Sequence, residues 1–227
     1  MNVFNTKIKF TASTIAWTEG GRMSMNIKAR AGSAVSIAWG DSKTTAHLFY
    51  NEAEVSFRHD YYPKYNSPPR EYDGTMFHVE INSYHPDCLI TGFYLAPVDM
   101  DAIDLDVTNC PELEKLTYCG YCQIKPRGLD LSRNSALKYL DCSDNEFTSL
   151  DLSNNTALEE VYCRRNRLKH LSLTNNYALK SLNCEYNEME QIFLFYAPQL
   201  RDVEFVEGNN LDEATIIAIQ ELVADNN

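Results

Sequence analysis

Residues 129–149 read LDLSRNSALKYLDCSDNEFTS, and residues 150–170 follow without a gap as LDLSNNTALEEVYCRRNRLKH. Nine of the 21 positions are identical between the two blocks. Residues 171–191, LSLTNNYALKSLNCEYNEMEQ, keep the same columns, and residues 192–212, IFLFYAPQLRDVEFVEGNNLD, keep most of them. Leu137, Leu158, Leu179 and Leu200 align, as do Leu140, Val161, Leu182 and Val203. Cys142, Cys163 and Cys184 form a third column, followed by Phe205. Asn145, Asn166 and Asn187 form a fourth, with Gly208 in the last block. A fixed period of this length is the signature of a stacked repeat.

One repeat is too short to bury its own apolar side, so neighbouring repeats must stack on one another. The pattern predicts one short strand per repeat, around 139–143, 160–164 and 181–185, paired in parallel with the next. Cysteine in an inward column behaves as a small apolar residue, and in-register thiols about 4.8 Å apart read as a reduced ladder. The Asn column is expected to bond backbone groups where each strand bends away. A second apolar group, Leu150 and Leu152 or Leu171 and Leu173, lines the opposite wall.

The columns Leu137-x-x-Leu140-x-Cys142-x-x-Asn145-x-Phe147 and Leu158-x-x-Val161-x-Cys163-x-x-Asn166-x-Leu168 resemble the leucine-rich repeat family. The LDLS-x-N-x-A-L phrasing is similar to bacterial surface repeats such as internalins and the BspA-like proteins of Bacteroidetes. The resemblance covers about residues 89–225. Leu113-x-x-Leu116-x-Tyr118 extends the pattern backwards with 24 residues to the next repeat, and Ile90-x-x-Phe93-x-Leu95 is a weaker first rung. Forwards, LDEATIIAIQELVAD at 211–225 reads as a helix, with acidic residues in its first turn, that caps the open end.

The stretch YCGYC at 118–122 looks like a dithiol or half of a zinc site. A thioredoxin-type motif needs the first thiol at a helix N-terminus, and QIKPRG follows as loop. Zinc needs four ligands, and no second C-x-x-C or C-x-x-H is present. YCGYC falls instead where the first full repeat leaves its strand, with Tyr118, or Cys119 through a bulge, in the Cys column. Seven cysteines leave no complete disulfide framework.

Residues 1–88 differ in texture. VFNTKIKFTAS, MSMNIKARA, VSIAW, AHLFY, EVSFRH and MFHVEINSY are short alternating segments, with EGGR, AGSA and GDSK as turns between the first of them. Such spacing predicts a β-sandwich. Trp39-Gly40-Asp41-Ser42, followed by His59-Asp-Tyr61, is similar to the PKD-like family of extracellular sandwiches, with Ser42 where the family has a second Gly. The resemblance implies a spacer or binding module. Trp39 is expected in the core, and Asp41 capping its own turn.

Other chemistry is sparse. His59, His78, His85 and His170 are scattered. The acidic run from Asp99 to Asp106 lacks the Gly and closing Glu of an EF-hand loop and reads as a repeat edge. The tract YYPKYNSPPREY at 61–72 reads as a long hairpin loop or an exposed recognition loop. There is no phosphate loop and no nucleophile elbow.

The chain of 227 residues is therefore expected to be mixed α and β, mostly β. An N-terminal PKD-like or immunoglobulin-like β-sandwich (1–88) precedes a leucine-rich repeat solenoid (89–227) with parallel strands and a C-terminal capping helix at about 211–225. Net charge is −12, which disfavours nucleic acid and anionic lipid as partners. No apolar run approaches the roughly 18–20 residues of a membrane span. The expected function is non-enzymatic recognition of a protein or glycan, by a monomer without cofactor or metal. Cell-surface or secreted placement follows from the resemblance, while the missing apolar leader segment leaves a cytoplasmic one open. The concave face of the solenoid supplies the candidate ligand-binding residues: Thr117, Tyr139, Asp141, Glu160, Tyr162, Arg164, Asn183 and Glu185. The alternative from another class is a thiol-dependent redox or metal-binding protein using YCGYC; a third is a purely structural surface part.

Overall fold

The computed structural model describes residues 5–14, 21–61, 76–83, 89–98, 100–119, 126, 128–194 and 196–226. The chain divides into two compact units, Met1–Cys110 with residues 120–126, and Pro111–Cys119 with Arg127–Asn227. It is mostly β, with one helix among the described residues.

Among the described residues the first unit holds eight strands: β1 (Asn5–Thr14), β2 (Gly21–Ala29), β3 (Ala34–Ala38), β4 (Thr44–Leu48), β5 (Ala53–Tyr61), β6 (Met76–Ser83), β7 (Ile90–Val98) and β8 (Met100–Asp106). One sheet runs β4-β3-β6-β1-β8. β2 pairs antiparallel with both β5 and β7. Alternation decides the faces: Met23, Met25, Ile27 and Ala29 are buried, and Ser24, Asn26 and Lys28 are not. Trp39 is buried, donates Nε1–H to Thr45 Oγ1 at 2.9 Å, and stacks on His59 with centroids 4.7 Å apart. His59 Nε2 lies 2.9 Å from Asp41 Oδ2, and Asp41 Oδ1 accepts the Lys43 N–H at 3.2 Å. The turn needs left-handed backbone at Gly40 (φ 84°) and again at Ser42 (φ 70°), where a side chain bears the strain.

Two segments read from the sequence as repeat-like, the weaker first rung at Ile90–Leu95 and the acidic run to Asp106, have antiparallel partners within the first unit. They belong to β7 and β8, which pair antiparallel with β2 and β1. The boundary accordingly falls at Cys110/Pro111 rather than after residue 88. An x-x-Phe-x-Leu spacing fits an antiparallel strand as well as a repeat, and only its pairing partner separates the two.

The second unit is a β-solenoid. β9 (Lys115–Tyr118), β10 (Tyr139–Asp141), β11 (Glu160–Tyr162), β13 (Ser181–Asn183) and β15 (Asp202–Glu204) pair in parallel, each in register with the next. β12 (His170–Ser172) and β14 (Gln191–Phe193) pair in parallel through the second apolar group. Leu137, Leu158, Leu179, Leu200, Leu140 and Val161 are fully enclosed, as are Cys142, Cys163 and Cys184. Fully burying one such aliphatic chain is worth about 1.5–3 kcal/mol, and the column repeats it at every rung.

Asparagine ladders hold the bends. Asn166 donates from Nδ2 to the carbonyls of Cys142 and Cys163, both at 3.0 Å, and its Oδ1 accepts the Phe147 N–H at 3.0 Å. Asn145 and Asn187 repeat the donor pattern. In the last rung this role belongs to Asn209, not to Gly208 as column counting suggested. The residue before each ladder Asn is left-handed: Asp144, Arg165, Tyr186 and Gly208, at φ 60°, 55°, 51° and 70°. Gly208 is required there, because a Cβ would stand 2.8 Å from Tyr186 Cα. This turn ends the strands at three residues, shorter than the five expected.

A second ladder runs parallel to the first. Asn155 donates to the Leu131 and Asn134 carbonyls at 3.1 and 2.9 Å, and Asn176 to those of Leu152 and Asn155 at 3.2 and 2.9 Å. In the fourth repeat its column holds Ala197. The capping helix serves the carbonyls of this last repeat instead. α1 (Glu213–Asp225) starts at Asp212, whose carboxylate accepts the Thr215 N–H at 2.7 Å. It ends at Asn226, which donates to the Ala197 and Leu200 carbonyls at 2.8 and 3.0 Å.

Candidate functional site

The outward residues of the parallel strands form one face, because alternate side chains leave a strand on opposite sides. Register places Tyr139 beside Glu160 and Asp141 beside Tyr162. The two tyrosine rings meet with centroids 5.6 Å apart at 44°. Lys115 Nζ sits 4.4 Å above the Tyr139 ring, an intramolecular cation–π contact. Tyr162 donates its hydroxyl to Glu160 Oε2 at 3.1 Å. Burial first, then the Asp141 carboxylate, pushes the Tyr139 phenol up to about 12. Burial and then the Glu160 hydrogen bond raise that of Tyr162. Both rings are therefore neutral hydroxyl-bearing surfaces at ordinary pH.

Several neighbours are already engaged. Asp141 turns back to accept the Ser143 N–H at 3.1 Å, and Asn183 does the same for Glu185 at 3.2 Å. Asn183 also donates to Glu204. Arg164 lies 3.8 Å from Glu185 and stacks its guanidinium 4.7 Å from the Tyr186 ring. Thr117 is 7% exposed, so it offers almost no surface, while the other seven candidates are half-buried. The face carries Lys115 and Arg164 against Asp141, Glu160, Glu185, Asp202 and Glu204, an acidic strip overall.

Sequence reasoning missed the ring contacts made by Lys115 and Tyr186. Lys115 was visible in the outward column but has no aromatic of its own; only register brings it over Tyr139. Tyr186 occupies the left-handed column and reads as loop. The more exposed aromatic residues, Tyr177, Phe193 and Tyr196, lie elsewhere in the solenoid.

The thiols behave differently from a redox pair. Tyr118 occupies the Cys column, since its carbonyl accepts Asn145 at 2.7 Å just as that of Cys142 accepts Asn166. Cys119 is buried, and burial, then Asp141, pushes its thiol upward, opposite to the lowering that activates a nucleophile. Burial likewise raises Cys142 and Cys184, and Cys163 to about 12. Cys110, Cys119, Cys142, Cys163 and Cys184 are free thiols. Cys88, His85, Cys122 and the tract 62–75 lie outside the described residues. Among the described residues no group of three or more His, Cys, Asp or Glu is placed to hold a metal ion.

The chain matches no known protein family and no curated protein. It is similar to a solved structure, the functional domain of InlJ from Listeria monocytogenes, which includes a cysteine ladder. Identity is 30%, the TM-score is 0.43, and the likeness covers 47% of this chain and 23% of that one. It thus spans less than a quarter of the other protein's chain, and the functional reading below stands on this chain's own residues.

Proposed function

We infer that the chain is a non-enzymatic binding protein whose leucine-rich-repeat-type solenoid recognises a protein or glycan through its concave strand face. The carrying observation is the Tyr139–Tyr162 pair, 5.6 Å apart on adjacent rungs and surrounded by carboxylates. Rings fixed by strand register lose little freedom on binding, and tyrosine is over-represented among residues that dominate interfaces. The acidic strip favours partners with cationic side chains or donor-rich surfaces. The raised, buried Cys119 thiol argues against the dithiol reading. The first unit is read as a PKD-like β-sandwich acting as spacer, supported by its buried Trp39 and left-handed Gly40 turn. A cell-surface or secreted location fits this reading; among the described residues no helix is long and apolar enough to cross a membrane.

The test is a random-peptide display library and a glycan array, each probed with the wild-type chain and with Tyr162→Ala. Ligands selected by the wild type should lose about tenfold or more in affinity for the variant, the size expected at an interface centre. Ligands that bind both chains equally would move the site off this face.

A further inference from the structure

The parallel stack ends on an unfilled edge. β15 pairs with β13 on one side, and among the described residues no strand pairs with it on the other. In the rungs before it the Cys-column N–H bonds forward. Cys142 donates to the Tyr162 carbonyl, Cys163 to that of Asn183 and Cys184 to that of Glu204, each at 2.8 Å. The forward acceptors are the Lys138, Glu159 and Lys180 carbonyls, each of which receives N–H groups from the next rung. On the last rung these positions are the Phe205 N–H and the Arg201 carbonyl, and neither has a partner among the described residues. The Asp202 N–H and the Glu204 carbonyl bond back towards β13, so Val203 between them turns its own N–H and carbonyl to the open side. Unpaired groups in this array are a template for one more strand.

The side chains at this edge are incomplete in the same way. Leu140 and Val161 are fully enclosed, but Val203 in their column is half-buried and Val206 is 45% exposed. With Phe205 they line one side of a groove of about 320 Å³, and Gln220 and Val223 of α1 line the other. In the column just before the strands, Lys138 pairs with Glu114 at 3.0 Å and Lys180 with Glu159 at 2.6 Å. Arg201 comes next and makes no ion pair among the described residues, nor does Asp202. A strand in register therefore needs an acid opposite Arg201, a base opposite Asp202 and an apolar residue opposite Val203. It also needs a hydrogen-bond donor opposite Glu204 and an apolar residue opposite Phe205. Glu114-Lys115-Leu116-Thr117-Tyr118 has this order. In the folded chain its charges are engaged, Glu114 with Lys138 and Lys115 over Tyr139. A second folded copy does not bring them free, whereas a separate extended chain does.

We propose that the β15 edge, with α1 as its far wall, is a docking site for an extended segment of a partner protein. The segment adds a parallel strand in the order acidic, basic, apolar, donor, apolar, and its apolar side chains enter the groove over Val203 and Phe205. The site uses neither Tyr139 nor Tyr162 and does not depend on the reading of the strand face.

The experiment uses the full chain and two fluorescein-labelled peptides, ELEKLTY and its charge-exchanged isomer ELKELTY, followed by anisotropy. ELEKLTY should bind saturably and about tenfold more tightly than ELKELTY, because the exchange sets like charges against Arg201 and Asp202. The double variant Arg201→Glu, Asp202→Arg should invert that preference; both residues are exposed, so the fold is kept. Hydrogen exchange at the Phe205 amide should slow when ELEKLTY is added, and Tyr162→Ala should bind this peptide as the wild type does. Absence of saturable binding, equal binding of the two peptides, an unchanged preference in the double variant, or loss of binding in Tyr162→Ala would overturn the proposal. So would self-association of the free chain that the double variant abolishes, which would give the edge to a second copy.

Discussion

The two units solve the same problem, closing a small β structure, by different means. In the solenoid every rung repeats one solution, so the same asparagine bonds and the same enclosed thiol recur along the stack. In the first unit each strand pair is individual, with bulges in β1 and a turn at Trp39–Lys43 that is not copied among the described residues. The lesson is that repetition concentrates stability in columns, whereas the antiparallel unit spreads it over single contacts such as Trp39, His59 and Asp41.

The comparison can be broken first with pH. In the solenoid the folded thiols titrate above their ordinary value of 9.0, so the folded state holds protons that the unfolded state would release. That stabilisation is complete below about pH 9 and is lost as pH rises towards the folded values, about 12 for Cys163. In the first unit, burial pushes Asp41 and Asp106 upward, but hydrogen bonds from His59 and Thr108 outweigh it and hold both carboxyls below 3.8. Their contribution is present above that value and is lost as pH falls through the lowered ones. The solenoid's Asp151, Glu159 and Asp212 are lowered too, but they lie near the surface where solvent screens them, so alkali should weaken the solenoid first and acid the first unit. Both tryptophans, Trp17 and Trp39, precede residue 111, so denaturation followed by fluorescence reports the first unit separately from circular dichroism. Coincident loss at both extremes would refute the contrast.

Next in size is Asn166→Ala. It leaves the buried Phe147 N–H without its partner and takes one of two asparagine donors from each of the Cys142 and Cys163 carbonyls, and should lower stability by about 3 kcal/mol in urea denaturation. Trp39→Phe removes the Thr45 hydrogen bond and shrinks the ring stacked on His59, for about 2 kcal/mol, seen only in the first unit's transition. Asn226→Ala removes the side-chain donor to the Leu200 carbonyl and one of two donors to the Ala197 carbonyl, at a partly exposed end, for about 1 kcal/mol. Smallest, and of opposite sign, Ser42→Gly should raise the thermal midpoint, because relieving a left-handed side chain is worth about 1 kcal/mol. Gly208→Ala should lower it, since its Cβ would collide with Tyr186.

Much of the solenoid was legible in the sequence. The Leu, Cys and Asn columns and the capping helix all follow from periodicity, which reports burial directly. The ladder at Asn134, Asn155 and Asn176 was in plain view within each LDLS block, yet polar residues in a turn look solvated until their carbonyl partners are located. The shift to Asn209 escaped because the last repeat spends one more residue before its turn, and column counting assumes a constant period. β7 and β8 escaped because antiparallel pairing with distant strands leaves no mark on local spacing. Of the candidate site, the tyrosine pair was readable from period and alternation together. The burial of Thr117 was not, because it depends on neighbours that sequence does not place.

The closing bond from Asn226 to the Ala197 carbonyl has a consequence for how such a protein can change over generations. The capping helix grips the repeat that holds Ala197 and Leu200, and the interior rungs share one pattern. A duplication or deletion of one whole block between residues 129 and 191 would leave both ends fitting as before. Reach along the strand face is then a property that copying errors can lengthen or shorten in steps, with no new ending to be invented.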